Sequence, residues 1–152
     1  MSKVSSLYDA IVTRVTAVLP SHKRLSDPYR FLKNKDSEKR QGWGLRVGAG
    51  QNPNQQLSCN IILRQQFTIL VTRLVAGREI EPNKKAATEK QLLEDLFLII
   101  DDFENDPTLA TSGVVIGAQY LSHNGIDFME AERDDHMVIE ASFDFRYQEN
   151  LN

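Results

Sequence analysis

The chain is poor in the residues from which reactive centres are made. Of its 152 residues one is cysteine and three are histidine. Cys59 has no partner for an internal disulfide. With His22, His123 and His136 far apart along the chain, it does not make the spaced ligand set of a zinc site. Cys59 sits in an apolar alternating stretch and reads as a small buried hydrophobe, not a nucleophile. No Ser/His/Asp order with a nucleophile elbow occurs. Long apolar runs are missing, so a membrane-spanning helix is not expected. "MSKVSSLYDAIVTRV" lacks the continuous apolar core of a signal peptide. A soluble, intracellular protein is expected. A dominant charge is missing too: 18 Lys/Arg stand against 21 Asp/Glu, a net charge of −3, so the chain as a whole is no basic glove for nucleic acid. Internal repeats and low-complexity segments are also absent. What remains is an ordinary composition with 41% hydrophobic residues, suited to a single domain, 1–152, with one core.

Two acidic clusters are the nearest approach to a metal or acid/base site. In "DDFEND", Asp101, Asp102 and Glu104 do not share one helical face neatly, and with Asp106 they read as the solvated last turn of a helix. The dipole there disfavours acids; a basic partner could offset this, but the sequence names none. In "ERDDH", Asp134, Asp135 and His136 mark a turn, and a divalent site would need ligands from elsewhere. Nothing marks a cleft for paired carboxylates. No catalytic residue, metal or cofactor is assigned, and the expectation is a structural or binding protein, not an enzyme.

"GWGLRVGAG", residues 42–50, holds four glycines in nine positions. A dinucleotide fingerprint needs G-x-G-x-x-G between a strand and a helix. Gly42 and Gly44 fit its first two positions, but the third is Val47. Polar "NKDSEKRQ" precedes the stretch and "QNPNQQ" follows it, so both flanking elements are missing. No Gly-Lys-Ser/Thr makes it a Walker loop. Trp43, Leu45, Val47 and Ala49 alternate with Gly44, Arg46, Gly48 and Gly50, the two-residue period of a strand. Its glycines then mark a face that another backbone approaches. That neighbour is an adjacent subunit or this chain's own sheet; the alternative is an internal bulge or twist.

Periodicity predicts the remaining elements. Val4, Leu7, Tyr8, Ile11, Val12, Val15 and Leu19 form one face of a helix over 4–19, capped by Ser2 or Ser5 and stopped by Pro20. "QNPNQQ" at 51–56 predicts a turn or loop tip. Residues 57–76 alternate as a strand. Twenty residues would span roughly 65 Å, so a bend near Arg64–Gln66 or a projecting end is expected. "GREIEPNKK", 77–85, reads as a connector. Thr88 with Gln91 makes a capping box for a core helix to about Glu104, carrying Leu92, Leu93, Leu96, Phe97, Ile99, Ile100 and Phe103. Strands follow at 114–121, 126–132 and 137–147, with "HNG" at 123–125 as a turn, bulge or loop. Along the last strand Met137, Ile139, Ala141, Phe143, Phe145 and Tyr147 face one way. The order α-β-β-α-β-β-β predicts an α+β domain, mainly an antiparallel sheet packed on one face by two helices.

Residues 20–42 lack any period and hold seven of the 18 Lys/Arg: Lys23, Arg24, Arg30, Lys33, Lys35, Lys39 and Arg40. A long loop of this kind is either solvated and mobile or an arm that orders against an acidic partner. Asp27, Asp36 and Glu38 dilute its charge and weaken a nucleic-acid reading.

The run "DPYRFLKNKDSEKRQGWGLRVGAG" (27–50) followed by "QQFTILVTRLV" (65–75) resembles the tail-terminator, or tail-completion, proteins of long non-contractile-tailed bacteriophages. The likeness covers most of the chain. It rests on an amphipathic first helix, an Asp-Pro-Tyr stretch, a charged loop, a Gly-aromatic-Gly strand, a long Thr/Arg-bearing strand, a second helix and a closing β-meander ending in Phe145, Arg146 and Tyr147. The strongly basic "KNKDSEKR" departs from the pattern. The resemblance implies a virion protein without enzyme activity. It would form a ring, usually of six subunits, on the end of the tail tube, stop tube polymerisation and present a surface for the head connector. The implied partners are further copies of the chain, the tail tube protein and a head-connector or stopper protein. DNA would pass through the lumen without specific binding, and no membrane is involved. The expected location is the head–tail junction of the virion, with assembly in the host cytoplasm. Candidate interface residues are Tyr29, Arg30, Lys33, Lys35, Lys39, Arg40, Trp43 and Arg46. Other head–tail joining proteins, a small α+β enzyme or ligand-binding domain and a nucleic-acid module using the 20–42 loop are the competing readings.

Overall fold

The computed structural model describes residues 2–29, 41–57, 60–75, 82–111, 113–129 and 135–150. The first apolar face folds as α1, Lys3–Val18, and buries Leu7, Ala10, Ile11 and Val15. Ser2 occupies the N-cap without a side-chain capping bond; its hydroxyl meets that of Ser5 at 3.1 Å. The cap comes from the other end of the chain instead: the Lys3 N–H donates to the Glu149 carboxylate at 3.0 and 3.1 Å, a negative charge where the helix dipole favours one.

Behind α1 the chain forms β1 (Lys23–Arg24), β2 (Gln41–Leu57) and β3 (Asn60–Val75), then α2 (Pro82–Asn105), β4 (Val115–Met129) and β5 (Asp135–Asn150). The five strands make one sheet in the order β1-β2-β3-β5-β4. Only the short β1 is parallel to its neighbour; the other pairings are antiparallel. Two helices packed on one face of a mainly antiparallel sheet make this the expected α+β class, in the order α-β-β-β-α-β-β and not α-β-β-α-β-β-β.

Several elements differ from the periodicity reading. "QNPNQQ" lies within strand: β2 runs on to Leu57, which pairs with Asn60, but its register shifts between Gln51 and Gln55. Its polar side chains hid a ladder held by main-chain bonds. The bend expected near Arg64–Gln66 is not in β3, which pairs with β5 residue for residue from Asn60↔Asn150 to Val75↔Asp135. The irregularity lies opposite, where Val47 pairs with Phe67 but Gly50 pairs with Gln65. The Gln65 side chain closes this bulge by donating to the Gly48 carbonyl at 2.8 Å. Thr88 caps nothing. The helix begins at Pro82, whose fixed φ suits a first helical turn, and the Thr88 hydroxyl donates to the Lys84 carbonyl within the helix. The two strands expected at 114–121 and 126–132 are one, β4, with "HNG" absorbed as a register shift between His123 and Ile126. Gly125 takes φ +89° there, and its N–H donates to His123 Nδ1 at 3.0 Å. Cys59 lies outside the described residues.

The core fills the space between helices and sheet. Trp43, Leu45, Phe67, Ile69, Val71, Ile139, Phe143 and Phe145 are buried against Leu92, Leu96, Ile99 and Phe103 of α2 and the α1 face. Edge-to-face ring contacts link Tyr8 to Phe67, Phe67 to Phe145, and Phe145 to Phe103, the arrangement aromatic quadrupoles favour.

Candidate functional site

The neighbour of the glycine face is this chain. After β1, residues 25–29 cross the sheet face opposite the helices. Leu25 donates its N–H to the Trp43 carbonyl at 2.8 Å and buries its side chain with Leu70 and Val138 in a second, small apolar cluster. Pro28 lies over Gly44: a Cβ on Gly44 would stand 2.7 Å from the Pro28 Cβ. At the bulge, an added Cβ on Gly48 or Gly50 would press on Gln66 or Gln65. Both the close-approach and the bulge readings therefore hold, at different glycines, and the close approach comes from residues 25–29, not from the sheet.

Arg46 ties this crossing segment down. Its Nε donates to the Pro28 carbonyl at 2.7 Å and its Nη1 to Glu140 Oε1 at 2.8 Å. The guanidinium lies 5.7 Å from the centre of the Tyr29 ring, within cation–π range. Tyr29 itself is 65% exposed. Among the expected interface residues, Tyr29 and Arg46 are thus brought together. Trp43 is not with them: it is 1% exposed, in the core beneath the Arg24 guanidinium, so its ring offers no surface to a partner. An aromatic beside a charged loop suggests an interface, but alternation with Leu45 places Trp43 on the helix side. Arg30, Lys33, Lys35, Lys39 and Arg40 lie outside the described residues.

The sheet face that carries this crossing segment is polar and laced with ion pairs. Arg64 donates through Nε and Nη2 to Asp144, which is buried. Arg146, directly across the ladder from Arg64, packs over Gly117 instead. Together with Arg46–Glu140 this gives a face of alternating charge, not a basic stripe.

A second polar cluster, which the sequence reading missed, anchors the start of the 20–29 segment on the helix side. Asp95 of α2 is buried and receives Arg73 Nε at 2.7 Å, Arg73 Nη2 at 3.0 Å and His22 Nε2 at 3.1 Å. Burial works against the carboxylate charge, but the hydrogen bonds and charges of His22 and Arg73 outweigh it and hold Asp95 below its ordinary pKa. The signal available was a single Asp interrupting the apolar face between Leu92 and Ile99.

"DDFEND" also has a basic partner. Arg14 of α1 grips Asp102 with Nε and Nη2 at 2.8 and 2.7 Å and reaches Asp106 with Nη1 at 2.8 Å. Asp101 and Glu104 stay exposed. His136 is buried in β5. Among the described residues, no three His, Cys, Asp or Glu side chains converge as metal ligands, and no helix is long and apolar enough to cross a membrane.

Two grooves open beside β2 and share Tyr8 and Val47. One, of about 430 Å³, is lined by Arg24, Leu25, Pro28 and Tyr29 as well. The other, of about 400 Å³, is lined by Val4, Ser5, Asp9 and Phe67. Arg24, the one cation in them, already donates to the Tyr8 hydroxyl at 2.6 Å. No protein-family model matches this chain, and no curated protein sequence matches it.

Proposed function

We propose that the protein caps a phage tail tube as a ring of subunits, ends tube polymerisation and forms the surface to which the head attaches. One observation carries this reading. The two short motifs behind the resemblance, Asp27-Pro28-Tyr29 and Gly42-Trp43-Gly44, are a single structural unit: Pro28 fills the space that Gly44 leaves, and Arg46 holds Pro28 and Tyr29 in place. In this chain the two motifs pack on each other, so a change in one would be felt by the other, and this supports reading them as one feature. The unit holds Asp27–Tyr29 on the face opposite the helices. On the helix-free face Arg46 and Arg64 are neutralised by Glu140 and Asp144, with Arg146 beside them, so much of the positive charge is paired, as a lumen through which DNA slides without being held would require.

The test is electron microscopy of particles from a phage with a stop codon in this gene. Free heads with tails of abnormal, variable length are expected. Normal-length tails lacking heads would move the protein to a connector or stopper role. Intact, infectious particles would remove it from the neck and favour the ligand-binding reading. Deleting residues 33–40 is expected to abolish tail attachment while the fold remains.

A further inference from the structure

The molecule is a two-layer slab, a helix layer on a sheet layer, and both layers end in apolar flanks at opposite sides. On one side, among the described residues, the sheet ends at β2, paired by β1 only at Gly42 and Trp43. Beyond them Val47 is 55% exposed. Val47 pairs with Phe67, so it points to the helix side, where it lines the apolar groove with Val4, Tyr8 and Phe67. Above this edge stands α1. Because Arg14 faces α2, the helical period turns Tyr8 and Val12 away from α2, toward the groove.

On the other side the sheet ends at β4. Past its last register shift, Ile126–Met129 pair regularly with β5. Ile126 and Phe128 sit opposite Ile139 and Met137, so they too belong to the helix side; Phe128 is 38% exposed, with one face of its ring under the Lys85 ammonium at 4.5 Å. Above this edge stands α2. Asp95 and Asp102 look toward Arg73 and Arg14, so the period puts Leu93, Phe97 and Ile100 on the far flank, over β4. Phe97 is 59% exposed. β4 carries one formal charge in its fifteen residues, Asp127. Natural sheets usually guard an open edge with charges; an apolar one is a template for another strand.

We infer that these flanks meet: β4 of one copy, at Ile126–Met129, adds to β2 of the next, at Gly44–Val47, with Phe128 entering the groove of Val4, Tyr8 and Val47. The helix layer continues across the same seam, Leu93 and Phe97 facing Tyr8 and Val12. Charge agrees: exposed Lys23 and Arg24 outnumber Asp9 on the β2 side, while Glu89, Glu104 and Asp127 outnumber Lys85 and Lys90 on the β4 flank. The contact joins two different patches, so it is heterologous and propagates until the rotation closes. Successive antiparallel pairings run β4 opposite to β2 within one copy. A rotation about an axis along the strands preserves their direction, so the added strand is antiparallel to β2. The inference rests on the ring reading above and gives it an interface.

The test uses the full chain with Cys59→Ser and single cysteines, Val47→Cys or Phe128→Cys, mixed and treated with a short bis-maleimide. A heterotypic 47–128 cross-link, identified by mass spectrometry, is expected, and a chain bearing both cysteines should give a ladder. Val47→Asp, an exposed site, should weaken self-association about tenfold or more by light scattering, with circular dichroism unchanged. Homotypic 47–47 links, or a protein that stays monomeric up to its solubility limit, would overturn the inference. Oligomers without the 47–128 link would sink this interface and leave a ring possible. The link combined with normal tails in the stop-codon phage would keep the interface and remove the tail-capping role.

Discussion

Pro28 occupies the space that a side chain on Gly44 would need, with an added Cβ only 2.7 Å from the proline Cβ. The backbone at Gly44 is ordinary strand, so the restriction is steric and not conformational. Gly44→Ala should cost about 1–3 kcal/mol, the usual penalty of overpacking, and Gly44→Val more. Urea unfolding measures it. Because the clash is with one neighbour, Pro28→Gly in the same chain should return part of that loss, so a double-mutant cycle should show coupling. Additive losses would place the cost elsewhere.

Asp95 links three parts of the chain through His22 and Arg73, and its removal leaves a largely buried guanidinium without its carboxylate. Asp95→Asn should destabilise by about 3 kcal/mol at neutral pH. The sign of the pH effect follows from the lowered folded-state pKa. Between the folded and unfolded values the unfolded chain binds more protons. Stability from Asp95 is therefore full above about pH 4–5 and is lost as the pH falls through the folded value. The stability gap between wild type and Asp95→Asn should narrow on acidification below about pH 4, read from urea midpoints across a pH series. A gap constant down to pH 2 would refute this ionic role.

One-sided burial is what made α1 and β5 readable from the sequence: each contributes one face to the same core, so the 3.6 and 2.0 periods survive in the residue order. The same physics hid β2 beyond Val47, where polar "QNPNQQ" carries no apolar alternation and pairs with β3 at Gln51, Gln55 and Gln56, either side of a register shift. The glycine run announced a close approach, but not its partner. Pro28 is sixteen positions from Gly44, and no local rule brings the two together. The polar clusters were less legible still. Arg14 and Asp102 are 88 residues apart and Arg46 and Glu140 are 94 apart; only the packing of α1 on α2 and the sheet register make them neighbours. Trp43 shows the opposite error: aromatic character beside a charged loop suggested a surface, whereas its alternation with Leu45 already put it inside.

Arg14 answers the dipole penalty of acids at the end of α2 by spanning Asp102 and Asp106. Asp106 is held below the ordinary carboxylate range: its desolvation is outweighed by hydrogen bonds from Thr108 and Arg14. The pairs are partly exposed, so their worth is modest. Arg14→Met should cost about 1 kcal/mol, and the loss should shrink in high salt. Arg14→Lys should recover little, because one ammonium cannot reproduce the fork on Asp102 while reaching Asp106. Thermal unfolding of the three proteins at two salt concentrations checks both statements.

Arg46 holds the segment that leads into residues 30–40, through the Pro28 carbonyl, the Glu140 carboxylate and the Tyr29 ring. Arg46→Gln keeps some packing and loses the charge-assisted bonds, so a global cost of about 1–2 kcal/mol is expected. The larger effect should be local. Residues 25–29 are also held by the Leu25 N–H to Trp43, the Leu25 side chain in its small cluster and Pro28 over Gly44, but Arg46 is the side chain that grips both Pro28 and Tyr29. The amides of 25–29 should exchange with solvent faster than those of β3 and β5 by more than the global loss explains. Hydrogen exchange read by mass spectrometry separates the two cases. A uniform increase in exchange would mean that Arg46 acts only on overall stability. A selective increase at 25–29, combined with failure to cap tails, would tie the proposed tail-capping role to the way this chain holds its own Pro28 and Tyr29 on the sheet.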